Sequence, residues 1–186
     1  ILAVPDIDRQ EVTFRIWFDG PGKLPEELEL NARVTDREDG RELGEASRTI
    51  VPKRGGGPVE LTVGLEEPQL WSPQEPNLNG ATLRVTADGE PCDEARFSFG
   101  MREVGVEDGH FHLNGGPLWL RGSSLVHEWG WGADWIGGAK NYIVDQARMM
   151  SLNCFRTHTL PPPADWLEVA DRHGTMILAE MPLLYN

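Results

Sequence analysis

Leu118-Trp119-Leu120-Arg121-Gly122-Ser123, Asn153-Cys154-Phe155-Arg156-Thr157-His158 and Met176-Ile177-Leu178-Ala179-Glu180 are the stretches that decide how this chain reads. Each is a short apolar run that closes on polar or ionisable residues, as a strand does. Two segments of helical character separate the last two runs from what precedes them. Residues 141–152 place Ile143, Ala147 and Met150 at helical spacing. Pro163 suits the first turn of a second helix, which runs through Trp166, Val169 and Ala170 to a C-terminal cap at Gly174. Strand, helix, strand, helix, strand is the parallel pattern. In a β/α barrel the reactive groups gather where the strands end. The barrel needs eight strands and this stretch supplies about three, so a partial (β/α)8 TIM barrel is expected.

Upstream, the pattern changes near residue 104. His110-Phe111-His112-Leu113, Asn114-Gly115-Gly116 and Pro117-Leu118-Trp119-Leu120 read as a hairpin leading into the first barrel strand. Before it, residues 1–103 look all-β. Glu11-Val12-Thr13-Phe14-Arg15-Ile16-Trp17-Phe18 alternates polar with apolar residues, and Glu27-Leu28-Glu29-Leu30-Asn31-Ala32-Arg33-Val34 does the same. Asp39-Gly40 is a hairpin-type turn. Further strands are expected at 47–52, 59–63, 81–87 and 95–99. About seven short strands with turns between them suggest a β-sandwich of immunoglobulin type. The fold class is therefore multidomain, β plus α/β: an immunoglobulin-like β-sandwich over 1–103, then the start of a TIM barrel over 104–186.

The formal net charge is −13, from 17 Lys+Arg against 30 Asp+Glu. A phosphate backbone would be repelled, which excludes nucleic acid as a partner. No apolar run approaches the roughly 20 residues that span a bilayer, so no membrane partner is expected. Cys92 and Cys154 fall in different expected domains and read as free thiols, with a disulfide as the alternative. The chain opens on Ile1 and ends at Tyr185-Asn186 just past a strand, so both ends read as cuts.

Four stretches resemble glycoside hydrolase family two, the group of β-galactosidases, β-glucuronidases and β-mannosidases. They are Leu70-Trp71-Ser72-Pro73, Phe99-Gly100-Met101-Arg102-Glu103-Val104, Phe111-His112-Leu113-Asn114-Gly115-Gly116-Pro117-Leu118-Trp119-Leu120-Arg121-Gly122, and Asn153-Cys154-Phe155-Arg156-Thr157-His158 followed by Asp171-Arg172-His173-Gly174 and Ala179-Glu180. Their order and spacing carry the resemblance over nearly the whole chain. There are departures. Glu75-Pro76-Asn77-Leu78-Asn79 stands where the family has Pro-Tyr-Leu-Tyr. Ser123-Ser124-Leu125-Val126-His127-Glu128 replaces an Asn-Arg-His-Glu found in some β-galactosidases. Those enzymes carry a metal-binding Glu after the third strand, where this chain reads Met181-Pro182-Leu183-Leu184. The resemblance implies a retaining exo-glycoside hydrolase acting on terminal β-linked sugars. Its acid/base Glu would follow the fourth strand and its nucleophile the seventh. Neither position lies in this chain, so no catalytic residue is assigned and the fragment alone is expected to be inactive. No metal or cofactor is expected.

The strand ends still offer supporting groups. Retaining hydrolysis uses two carboxyls about 5–5.5 Å apart; Glu128 and Glu180 follow strands but are not that pair by resemblance. Glu180 is expected to support a site near the sugar, or to be an ordinary salt-bridged carboxylate. Glu128 is a weaker candidate, with a solvated loop charge as its other reading. His158 and His127 could each donate to a sugar hydroxyl or hold a loop. Arg156 sits within its strand; burial there would demand a partner, and a catalytic carboxylate from a later strand is the candidate. Arg121 is its counterpart in the first strand. Trp129, Trp131 and Trp135 crowd one loop, where aromatic faces stack on sugar C–H faces or simply pack. His110 and His112 share a strand face, as a metal-binding pair would, but they precede the first barrel strand. The partner expected for the parent protein is carbohydrate. Three strands of an open parallel sheet also leave an edge and an apolar face, so self-association is expected. The alternative reading is a non-catalytic carbohydrate-binding or interaction module, and a third is a metal-dependent barrel hydrolase built on His110 and His112.

Overall fold

The computed structural model describes residues 1–18, 25–53, 55–126 and 138–182. The described chain is rich in β-strand, with two helices, and divides into two compact units. One holds Ile1–Leu70 and Asn77–Glu103; the other holds Trp71–Pro76 and Val104–Asn186. The Trp71-Ser72-Pro73 turn, which the sequence places late in the β region, thus lies with the second unit.

The first unit contains β1 (Leu2–Asp6), β2 (Glu11–Ile16), β3 (Leu28–Asp36), β4 (Glu42–Ile50), β5 (Val59–Gly64), β6 (Asn79–Ala87) and β7 (Glu90–Phe99). They form two antiparallel sheets, β1-β2-β5 and β4-β3-β6-β7. Side chains alternate across a strand, so β2 buries Val12, Phe14 and Ile16 while β3 buries Leu28, Leu30, Ala32 and Val34. Register matches these inward residues to apolar partners: Val12 faces Val63, Phe14 faces Leu61 and Ala32 faces Leu83. One core draws on both sheets, and the Phe14 ring stands nearly perpendicular to those of Phe97 and Phe99, with centroids 5.9 Å away in each case. The outward positions pair by polarity. Thr13 and Thr62 share a hydrogen bond of 2.9 Å, and Arg15 meets Glu60 at 2.9 Å. Asp88-Gly89, with φ 52° and 80°, closes the β6–β7 hairpin, since only such short polar and glycine residues accept two successive left-handed positions.

The second unit contains β8 (Val104–Glu107), β9 (His110–Leu113), β10 (Gly116–Pro117), β11 (Gly122–Leu125), α1 (Ala139–Met149), β12 (Cys154–Thr157), α2 (Ala164–Arg172) and β13 (Met176–Leu178). β10-β9-β8 is a small antiparallel sheet and β11-β12-β13 is parallel. Leu125 and Phe155 pack with Val144 and Ala147 of α1 and with Trp166 and Val169 of α2; Ile177 joins them from β13. Both helices end in the same way. The Leu152 N–H returns to the Ala147 carbonyl and the Thr175 N–H to the Ala170 carbonyl, each at 2.9 Å. The residues between, Ser151 and Gly174, take left-handed backbones with φ 61° and 68°, as this type of helix ending requires.

The first parallel strand differs from expectation. It spans Gly122–Leu125 rather than the apolar run at 118–123. Ahead of it, the buried Asn153 bonds through backbone and side chain alike: its N–H donates to the Arg121 carbonyl at 2.9 Å, while its side chain accepts the Arg121 N–H at 2.8 Å and donates to the Trp119 carbonyl at 3.0 Å. The true pairing begins where Gly122 meets Cys154. A Cβ at Gly122 would lie 2.9 Å from the Cys154 carbonyl oxygen, so the approach depends on glycine.

Candidate functional site

The parallel sheet sorts its side chains by face. Leu125, Phe155 and Ile177 turn toward the helices. Arg156 and His158, on the alternate positions of β12 and its continuation, are exposed, as are Ser124 of β11 and Leu178 of β13. The C-terminal ends of β12 and β13 lie side by side because Arg156 is paired with Leu178 in register. That register brings Arg156 and Glu180 together.

Glu180 is the most engaged group there. One carboxylate oxygen takes the Arg156 guanidinium and the other takes the Thr159 N–H. Its own N–H donates to the Thr157 hydroxyl at 3.0 Å, and Thr157 is fully buried. Arg156 is not buried, contrary to the premise on which a catalytic carboxylate is expected beside it. Its side chain is 60 % exposed, and the partner is Glu180, whose side chain is 20 % exposed. Alternation explains this: Arg156 stands on the face without helices. The His158 N–H donates to the Leu125 carbonyl at 3.0 Å, which fixes its backbone beside the end of β11, while the residue stays exposed. Arg156, His158 and Glu180 therefore occupy one strand-end neighbourhood. His127, Trp129 and Trp131, with Glu128 and Trp135, lie outside the described residues.

Other candidates separate from this place. The Arg121 side chain donates to the Ser151 carbonyl at 2.7 Å, closing the loop after α1. The ring of His112 lies 3.2 Å from the His110 carbonyl and 3.9 Å from Glu107, and no group of three or more metal-ligating side chains forms among the described residues. A groove of about 470 Å³ lies beside this hairpin, lined by Glu107, His110, Phe111, His112, Pro117 and Trp119 among others; Trp119 is 75 % exposed. Both cysteines are free thiols, and burial pushes the Cys154 thiol above its ordinary range. Among the described residues no helix is long and apolar enough to cross a membrane. Sequence reading missed Thr157 and Thr159, which complete the bonding of Glu180. Thr157 was visible as a polar residue inside an apolar strand; nothing in the sequence marked Thr159.

Residues 3–102 match the model of the family described as "Glycosyl hydrolases family 2". The match covers more than half of the chain. The chain belongs to glycosyl hydrolases family 2. A β-galactosidase of Oenococcus oeni is 24 % identical over 94 % of this chain and 17 % of its own length. The chain thus spans about a sixth of that relative. Among solved structures, a glycosyl hydrolase family 2 member from Bacteroides cellulosilyticus superposes with a TM-score of 0.80 at 23 % identity, over 92 % of this chain and 22 % of that one. The apo structure of Bacteroides uniformis β-glucuronidase 3 gives 0.70 at 25 % identity, over 95 % and 22 %. A β-glycosidase from Bacteroides vulgatus gives 0.77 at 21 %, over 97 % and 23 %.

Proposed function

We propose that this chain is part of a retaining exo-β-glycosidase of family 2, comprising an immunoglobulin-like sandwich and the first three βα units of a TIM barrel. The observation that carries the reading is the meeting of Arg156 and Glu180 at adjacent C-terminal ends of parallel strands, beside His158. In a barrel this is the end at which substrate is handled. An arginine, an imidazole and a carboxylate suit the hydroxyls of a sugar and the charge that develops on it. Arg156, His158 and Glu180 support the reaction from the wall of the site. His127, Trp129 and Trp131, which follow β11 in the sequence, are further candidates for contact with the sugar. The acid/base and the nucleophile, two carboxyls about 5–5.5 Å apart, come from strands beyond the three present here. The 186-residue chain alone is therefore inactive.

A panel of nitrophenyl α- and β-glycosides tests this. The full-length protein carrying this chain turns over one β-glycoside, and the 186-residue chain turns over none. Hydrolysis by the short chain would sink the claim that both carboxyls lie elsewhere; silence from both would sink the glycosidase reading.

A carbohydrate-binding module is the second reading, favoured by the groove in which Trp119 and Phe111 are exposed beside His110, His112 and Glu107. Saturable shifts of the Trp119 indole N–H on adding methyl β-glycosides would support it. The exposed Val126, Leu178 and Met181 of the second unit also support self-association of the isolated chain. Sedimentation velocity across a concentration series reads this directly, and a single monomeric boundary at every concentration would oppose it.

A further inference from the structure

The turn after β12 is held in a backbone that its residue disfavours. Thr159 has φ 64°, a left-handed conformation in which Cβ crowds the neighbouring carbonyl, and branching at Cβ worsens the crowding. The residue is tied from several sides. Its N–H donates to Glu180 Oε2, and its hydroxyl donates to the His158 carbonyl at 2.8 Å. Glu180 is itself fixed by Arg156 on its other oxygen and by Thr157 at its N–H. On the far side, the His158 N–H is fixed to the Leu125 carbonyl. His158 is thus bracketed by bonded neighbours while the residue is left exposed. Strained residues persist only where their surroundings over-determine them, and they concentrate at working sites.

We propose that Glu180 is a positioning residue: its carboxylate, shared between Arg156 and the Thr159 amide, holds the strained turn that presents the His158 imidazole to a sugar hydroxyl. The sugar rests on the glycosidase reading above; the clamp is a property of this chain by itself. A carboxylate suits the task because its two oxygens accept from two donors at once, and both bonds are strengthened by its charge.

Amide exchange at Thr159 and the carbon-bound ring signals of His158, followed by NMR in the 186-residue chain, test the clamp without any turnover. Glu180→Ala speeds Thr159 exchange on the order of tenfold or more, as loss of a bond to a charged acceptor does, and moves the His158 signals. Thr159→Gly leaves the His158 signals near their original positions, because glycine takes the left-handed backbone without strain. The double variant brings those signals back toward the original, since the turn no longer needs the carboxylate. An ordinary ion pair would give no such rescue. If Glu180→Ala does not fold, Glu180→Gln reads the same amide, with a smaller acceleration. Unchanged Thr159 exchange, or a double variant no nearer the original than Glu180→Ala, overturns the proposal. The glycoside panel is separate: silence there removes the sugar as the group that His158 meets, while the exchange data decide the clamp.

Discussion

The two units of this chain bury their strands differently. In the first, β2 and β5 send Val12, Phe14, Leu61 and Val63 into a core that β3, β4, β6 and β7 fill from the other sheet. In the second, both helices lie against the face of the parallel sheet that carries Leu125, Phe155 and Ile177. The other face carries Arg156, His158, Leu178 and Ser124, all exposed, and Cys154, which is buried. Antiparallel strands with one apolar and one polar face need only one partner sheet. A parallel sheet is ordinarily covered on both faces. The exposed face here mixes an apolar residue with an arginine and an imidazole, a composition that suits neither plain solvent nor plain core. The difference teaches where to look: the first unit is finished by its own packing, while the second leaves one face of its parallel sheet without helices, and that face holds the ionisable residues Arg156 and His158.

The largest expected effect tests the claim that the first unit rests on shared packing. Phe14 is fully buried between two aromatic rings, so Phe14→Ala should cost about 3–5 kcal/mol, read by chemical denaturation. A loss under about 1 kcal/mol would mean that the two sheets do not depend on one core. The counterpart in the second unit is Gly174→Ala. Gly174 has φ 68°, and a Cβ there would press into the Pro73 carbonyl. The left-handed backbone alone costs about 1–2 kcal/mol, and the steric contact adds to it. Full tolerance of alanine would show that the 71–76 segment is not seated against the end of α2, where the Trp71 indole donates to the Asp171 carbonyl at 2.8 Å.

The cysteines compare the units by rate. Cys92 is exposed on β7 and Cys154 is buried on β12 with its thiol pushed up by burial. Iodoacetamide should modify Cys92 on the order of a hundredfold faster, with Cys154 reacting only as the parallel sheet opens. Equal rates under native conditions would show that the second unit opens freely.

How much of this was legible beforehand follows the range of the interactions. The alternation of Phe14 with Ile16, and of Leu28 with Leu30 and Ala32, is written in neighbouring residues, so β2 and β3 could be read directly. The start of β11 could not. The apolar run at 118–120 has the composition of a strand, but Leu118 bonds back to the Phe111 carbonyl of β9 and Trp119 to the Asn153 side chain, and register with the parallel sheet is settled some thirty residues away. The site divides in the same manner. Arg156, His158 and Glu180 were visible as ionisable residues closing apolar runs. That Arg156 is exposed and turns to Glu180 depends on which face of β12 the helices take. The strain at Thr159 is a backbone angle, and composition carries no trace of it.

The smallest expected effect concerns the helices that make the two faces unequal. Lys140 of α1 lies 5.6 Å from the centre of the Trp166 ring and bonds to Asp165 in the first turn of α2. The Lys140 ammonium holds the Asp165 carboxyl below the usual aspartate range. A carboxyl whose folded pKa is depressed stabilises the fold at pH above its unfolded value, about 3.9 for Asp, and that contribution is lost as pH falls through the folded value. Asp165→Asn should therefore lower the stability of the chain at pH 7 and lose its effect below about pH 3.9. Because the Asp165 side chain is 60 % exposed, solvent screens the pair, and the difference should be about 0.5 kcal/mol or less. It should shrink further in 1 M salt, where the Debye length is about 3 Å. Parallel thermal melts of the two proteins between pH 3 and 7 resolve the trend even where single values are small. A gap that stays constant across this range would mean that Asp165 acts through packing or the helix terminus rather than through Lys140, and the two helices would then be joined by their apolar contacts alone.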